Sequence, residues 1–352
     1  MTAARPRVEE SSRQRPHARE RRRPRRWPAV IAGVYAAATA AAIVAWLLVG
    51  DVWWTQPVNA TTFYWSLPAV PLGALAVLRR RWRVALLLGV PAGLFVTAYG
   101  GLFVGAPPAA AGDVRVASYN TYIRSSDLSH VVRLARVEQP DVLLVQEITP
   151  RRAAELGAQL GDTYPHRWFG DEVGRVGGVG LLSRFPIVAL RPVPSPRPAS
   201  RPTAVVHLDV GGRPLQVVPV HLTSPCPDCG ASFLGRQRFE VNARRAEIDA
   251  ALAELDPDVP AVVGGDLNST RRSDPYRHLA AAGFRDPHIE AGAGPGFTWP
   301  AGTDRLPDRP LLRIDWIMAR GMVPVEAWVA STDGSDHRPV LADLAWPRGA
   351  AR

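Results

Sequence analysis

The chain has 352 residues, of which 47% are hydrophobic and 21% charged, and carries a formal net charge of +10. This length accommodates one large domain with an appended segment. Clustered cations would suit a polyanion-binding protein. Here, however, the excess sits in residues 1–27 and 79–83, and residues 105–352 are formally neutral. The charge is therefore no argument for nucleic acid. No lysine occurs, which reflects composition rather than function.

Residues 1–28 are rich in Arg and Pro and poor in aliphatic side chains, so they are expected to be a disordered basic tail. An uncharged apolar run over 29–49 has the roughly 20 residues needed to cross a bilayer. Further runs over 60–78 and 84–104 are separated by Arg79, Arg80, Arg81, Trp82 and Arg83. Residues 29–104 thus read as a three-helix membrane anchor. Arg-rich flanks stay cytoplasmic, which puts the tail and the Arg loop inside and everything after the third span outside. A cleaved signal peptide is the competing reading of the first run. Its length, the lack of a small-x-small site in Trp46-Leu-Leu-Val-Gly-Asp and the two later runs oppose that reading. Pro71 and Pro91 fall within spans, where membrane helices tolerate them.

A Gly, Pro and Ala linker over 105–112 leads to residues 113–347. Strands are predicted over 114–119, 142–146, 178–183, 204–210, 215–220, 261–265, 314–318 and 340–344, with helical spacing over 128–138 and 236–255. The mixture argues a layered α/β domain. On the second helix, Arg236, Arg238, Arg244 and Arg245 interleave with Glu240 and Glu247, the pattern of a solvated ion-pair face. Cys226 and Cys229 are the only cysteines, too few for an all-Cys zinc site, and in an exported domain they are expected to form a local disulfide.

Nearly every predicted strand ends in polar residues: Asn120, Glu147, His221, Asp266 with Asn268, Asp315, and the pair Asp336 and His337. A sheet fixes such ends while loops keep them accessible. Carboxylates and amides with few imidazoles favour a hard cation, Mg2+ or Mn2+, over zinc. Such an ion neutralises phosphoryl oxygens and activates water.

Six blocks stand in order: Ala117-Ser-Tyr-Asn120, Pro140-Asp-Val-Leu-Leu-Val-Gln-Glu147, Pro219-Val-His221, Gly264-Gly-Asp-Leu-Asn268, Arg313-Ile-Asp-Trp316 and Ser335-Asp-His-Arg-Pro339. In these the chain resembles the endonuclease/exonuclease/phosphatase superfamily of DNase I-like phosphoester hydrolases. The resemblance implies a four-layer α/β sandwich, two packed mixed sheets flanked by helices, with the site at one end. It implies that Glu147, Asn120 and Asp336 hold the metal and that Asp266 orients or deprotonates water. His221 and Asn268 would bind phosphoryl oxygens, and His337, braced by Asp315, would stabilise the transition state or protonate the leaving group.

Substrate is less legible than reaction type, because function lives in the loops. A neutral external domain disfavours a surface nuclease, and a soluble inositol-phosphate phosphatase has no use for three spans. A tethered domain stays beside lipid head groups, so a phosphorylated lipid is the favoured partner. The layout resembles VanJ-type members of the superfamily, linked to teicoplanin resistance, for which undecaprenyl-pyrophosphate phosphatase activity is implied. A surface nuclease, a phospholipase- or sphingomyelinase-like phosphodiesterase and a binding module without catalysis stand as alternatives. Oligomeric state is not legible.

Overall fold

The computed structural model describes residues 26–52, 54–104, 112–170, 177–198, 200–224, 241–302, 308–331 and 333–347. The basic tail before Arg26, the linker before Gly112, Cys226, Cys229, Arg236, Arg238 and Glu240 lie outside the described residues.

Helix α1, Trp27–Val49, has Pro28 in its first turn, where no intrahelical donor is lost, and ends at Gly50, whose φ is 72°. Three short helices follow, α2 (Thr55–Ala60), α3 (Thr62–Ser66) and α4 (Ala69–Leu78), then α5 (Trp82–Tyr99) and a 3-10 turn over Gly100–Phe103. Two helical stretches, Trp27–Val49 and Trp82–Phe103, are long and apolar enough to cross a membrane. The expected middle span is different. Its apolar stretch, Thr62–Leu78, is a shorter helix whose hydrogen-bond ladder is interrupted at Leu67 and Pro68, at the lower end of the length a crossing takes. Pro68 has no N–H to continue the ladder of α3, and α3 turns its aromatic side chains toward the rest of the chain, as described below.

The remainder runs β1 (Val114–Asn120), α6 (Ser129–Glu138), β2 (Val142–Ile148), α7 (Pro150–Leu160), β3 (His166–Phe169), β4 (Gly178–Ser183), β5 (Ile187–Val193) and β6 (Thr203–Asp209). It continues through β7 (Pro214–His221), α8 (Val241–Ala253), β8 (Ala261–Asp266), α9 (Asp274–Ala281), α10 (Pro287–Ala291), β9 (Asp315–Arg320), β10 (Val323–Val329) and β11 (Val340–Ala345). Six strands form one mixed sheet in the order β10-β11-β1-β2-β4-β3, and five form a second in the order β5-β6-β7-β8-β9.

Alternation along the strands builds the layers. Val142 and Leu144 of β2 enter the core between the sheets with Val217, Val262 and Ile317. Leu143 and Val145 point the other way, onto Val131 and Leu134 of α6 and Leu156 of α7. On the second sheet, Val218 and Val263 meet Ile248 of α8 and Leu279 of α9. The result is helix, sheet, sheet, helix, the four-layer arrangement expected from the sequence. Helix α8 departs from its expected solvated face. Arg245 does pair with Asp249 at 3.8 Å, but Arg244 is wholly buried and Glu247 turns inward to accept from Thr223 N at 2.9 Å and Thr223 Oγ1 at 2.7 Å. Residues one apart on a helix lie on different faces, so neighbouring arginines part company.

Candidate active site

Strands β7 and β8 end, and antiparallel β9 begins, in register, with His221 opposite Asp266 and Asp266 opposite Asp315. The turn out of β8 requires glycine. Gly265 has φ 150°, and a Cβ there would lie 1.8 Å from Val220 O. The backbone then lets Asp266 accept from Asn268 N at 2.7 Å through Oδ1, while Oδ2 receives Asn120 Nδ2 at 3.2 Å and Asn268 Nδ2 at 3.3 Å. Asn268 itself sits at φ 47° and also donates to Leu222 O at 3.0 Å. His221 Nε2 lies 3.4 Å and His337 Nε2 3.9 Å from Asp266 Oδ2.

The other sheet contributes Asn120 and Glu147. Pairing of β2 with β4 shifts between Gln146 and Ile148, a bulge that re-aims Glu147, whose φ is 63°. Gly177 leaves room for it, since a Cβ there would lie 2.6 Å from Glu147 C. Glu147 Oε2 accepts from Ile123 N at 2.5 Å, and Oε1 from Asn120 Nδ2 at 3.3 Å. Asn120 therefore bridges Glu147 and Asp266 with its amide nitrogen, and its oxygen accepts from Tyr122 N at 3.1 Å. Ser335 Oγ ties the last loop to β1 by donating to Asn120 O at 2.7 Å, and Asp336 O accepts from Ala301 N at 2.7 Å.

His337 Nδ1 bonds Asp315 Oδ2 at 2.8 Å. Burial opposes a charge on His337, but Asp315, Asp266 and Asp336 outweigh it and hold its pKa up at about 10. His221 goes the other way: burial, then Arg201 and His337, keep it well below its ordinary value and neutral. Burial and the neighbouring Asp315 raise Asp266, against the pull of His337. Two histidines in one site thus hold opposite protonation states, which separates a proton donor from a neutral hydrogen-bonding group.

Donor chemistry decides where a cation fits. Asp266, Asp315 and His337 converge within 4.8 Å of one another. In that group His337 Nδ1 is taken up by Asp315 Oδ2, and Asp266 Oδ2 by the Asn120 and Asn268 amides, so it reads as a proton-handling cluster. Glu147 and Asp336 are better suited. Burial pushes the Asp336 carboxyl above its usual range against the pull of His337, with Glu147 adding to the rise, an electrostatic penalty that a hard divalent cation held by these carboxylates would relieve.

Two residues of the site escaped sequence reasoning. Arg201 Nη1 donates to His221 O at 3.1 Å and Leu222 O at 3.3 Å, behind the catalytic strand end. Arg152 holds the loop under Glu147 through Thr121 Oγ1, Tyr122 O and Ser125 O. Neither stands in a block with a strand-end signature, and among so many arginines neither is distinguishable. A cavity of about 660 Å3 lies between α10 and β10 and includes none of the residues just described.

Residues 117–337 match the profile of a family described as Endonuclease/Exonuclease/phosphatase. The fold is similar to a crystal structure of an endonuclease/exonuclease/phosphatase from Beutenbergia cavernae, at 23% identity and a TM-score of 0.50 over 66% of this chain and 71% of that one. It is also similar to an endonuclease/exonuclease/phosphatase from Bacteroides vulgatus, at 20% identity and 0.52 over 66% and 99%. Humanized D. rerio TDP2 is similar at 19% identity and 0.51, over 66% and 98%. A search of curated protein sequences found no match.

Proposed function

Because the chain belongs to the endonuclease/exonuclease/phosphatase family, we propose that it is a membrane-anchored, divalent-metal-dependent phosphoester hydrolase acting outside the cytoplasmic membrane on a phosphorylated or pyrophosphorylated lipid, such as undecaprenyl pyrophosphate. The observation that carries the lipid reading is where the apolar helices meet the domain. The indole of Trp46, at the end of α1, donates to Arg272 O at 3.0 Å, in the loop leaving Asn268. Tyr64 OH donates to Leu311 O at 2.5 Å, shortly before Asp315. Leu48 and Leu86 on the two long helices are 80% and 79% exposed, an outward apolar face suited to lipid. The domain would then stand on the bilayer with catalytic loops at its surface, and the Arg79–Arg83 turn at the opposite, cytoplasmic end.

In the reaction, Asp266 orients the attacking water and accepts its proton, its raised pKa favouring that transfer. Asn268 and His221 donate to phosphoryl oxygens as charge develops. His337, charged and braced by Asp315, gives a proton to the leaving oxygen. Glu147 and Asp336, organised by Asn120, would hold Mg2+ or Mn2+, which when bound neutralises phosphoryl charge.

Phosphate release from undecaprenyl pyrophosphate by the detergent-solubilised chain with Mg2+, compared with DNA cleavage, tests the reading. Asp266→Ala and His337→Ala serve as controls. Release lost in both variants supports it. DNA cleavage without lipid turnover would replace it with a surface nuclease. Teicoplanin susceptibility unchanged by deletion and overexpression would remove the proposed link to resistance.

A further inference from the structure

The two long apolar helices end at one loop of the domain. Arg271 and Arg272 are consecutive in the segment leaving Asn268, and each holds a different helix. Arg271 donates to Ala98 O near the end of α5, and Arg272 O accepts the indole N–H of Trp46, in the last turn of α1, at 3.0 Å. Phe63 of α3 packs edge-on against Phe297 with centroids 5.2 Å apart, which extends the same junction. Leu47 and Leu48, next to Trp46, are exposed. An indole beside an outward apolar turn suits the level at which a span passes from hydrocarbon to head groups.

Cations crowd this point. The guanidinium carbons of Arg272 and Arg277 lie 4.1 Å and 4.6 Å from the centroid of the Trp46 ring, so two like charges share one indole. Arg277 is exposed and has Asp274 at 3.1 Å. Arg272 is half-buried, and its Nε has no hydrogen-bond partner among the described residues. Burial and the like charges of Arg277 and Arg271 lower its pKa against the pull of Tyr99 and Asp51. The nearby acids are already engaged. Asp51 accepts from Asn59 Nδ2 at 2.9 Å and Asp274 N at 2.7 Å, and Asp51, Asp274 and Glu247 all face the buried Arg244 as well. Arg244, Arg271, Arg272 and Arg277 outnumber these carboxylates, so the cluster is left positive. At the level of the head groups, the anion that complements it is a lipid phosphate.

We infer that Arg272 and Arg277, beside Trp46, bind the phosphate of an anionic phospholipid of the surrounding bilayer, a site separate from the catalytic one. Its acyl chains would lie along the outward leucines of α1, a surface that free phosphate would not use. The lipid would thereby order the segment that leaves Asn268. This inference rests on the membrane-anchored reading.

The test places the full chain in phosphatidylcholine nanodiscs containing a trace of phosphatidylglycerol with a diazirine on its head-group glycerol. After irradiation, adducts are expected on residues 46–48 and 270–277. Arg277→Gln should lower that labelling about fivefold, and Arg272→Gln combined with Arg277→Gln about 30-fold. Labelling of the Arg79–Arg83 turn, at the opposite end of the helices, should stay constant and serves as the internal reference. Arg277 is exposed, so its single variant decides the matter if the double variant does not fold. Equal labelling by a phosphatidylcholine probe, or labelling at 270–277 that neither variant changes, would overturn the inference. Loss of labelling in excess inorganic phosphate would assign the arginines to free phosphate and overturn the lipid site. A chain that enters nanodiscs without discriminating the two lipids removes this inference alone, whereas a chain that stays in solution without detergent or lipid removes the membrane-anchored reading.

Discussion

The helical region over the described residues 26–104 and the catalytic domain bury their apolar side chains in opposite ways. In α1, Val34, Leu47 and Leu48 face outward and Ala32 and Ala36 are turned in, whereas in β2 every one of Val142, Leu143, Leu144 and Val145 is buried. Small residues inside and large ones outside suit helices solvated by lipid; large residues inside suit a core formed in water. The two regions nevertheless share polar contacts. Asp51, just past α1, receives Asn59 Nδ2 at 2.9 Å and caps α9 by accepting from Asp274 N at 2.7 Å. Trp46 lies under Arg272 and Arg277, whose guanidinium carbons are 4.1 Å and 4.6 Å from its ring. The N-terminal helical region is thus joined to the loops that carry the site, beyond the covalent connection.

The contrast can be broken most sharply in the domain. Asp266→Asn should reduce hydrolysis about 10^3-fold while leaving the fold intact, measured as kcat beside a thermal melt. It removes a buried charge, so loss of folding would show that the carboxylate is structural. Gly265→Ala comes next. Its Cβ would collide with Val220 O, and a loss of about 4 kcal/mol, read by denaturant unfolding of the domain, is expected. A wild-type midpoint would contradict the described turn.

Acid should divide the regions without mutation. Burial lowers His130 and His288 from an ordinary 6.5 to about 4. The unfolded chain therefore binds protons first, and stability present above about pH 6.5 is lost as pH falls toward 4. The loss approaches roughly 3 kcal/mol per histidine. Helix α1 contains no Asp, Glu, His, Lys or Arg, so its far-ultraviolet signal should persist through that window while domain tryptophan fluorescence changes. Simultaneous loss would show that the apolar helices depend on the domain. The smallest effect belongs to the junction. Trp46→Ala should cost about 1–2 kcal/mol of domain stability and speed proteolysis near Arg272, leaving the apolar helices unchanged.

Central and edge strands differ in how plainly they announce themselves. The eight expected strands all occur, with ends shifted by a residue or two. The three that were not anticipated, β3, β5 and β10, are sheet edges. Their exposure explains this: β5 is almost wholly exposed and includes Pro192, β10 includes Pro324, and β3 has four residues. Edges favour Pro, charge and brevity, which erase the alternating apolar signal. Helices α7 and α9 were missed for a related reason, since each buries only a narrow stripe, Leu156 and Leu160 in one and Tyr276 and Leu279 in the other.

By itself the sequence determined the layered α/β class, the apolar N-terminal region and the polar residues at strand ends, because each depends on local composition and on periods of two or 3.6 residues. Only the tertiary structure decided that His221, Asp266 and Asp315 lie in register and that His221 is neutral while His337 is charged. It also decided that Arg244 is buried, that the middle apolar run breaks at Pro68, and that Trp46 and Phe63 reach the loops of the site. Register, protonation and burial arise from residues far apart in the chain that folding brings within a few ångströms, and no local pattern encodes that proximity.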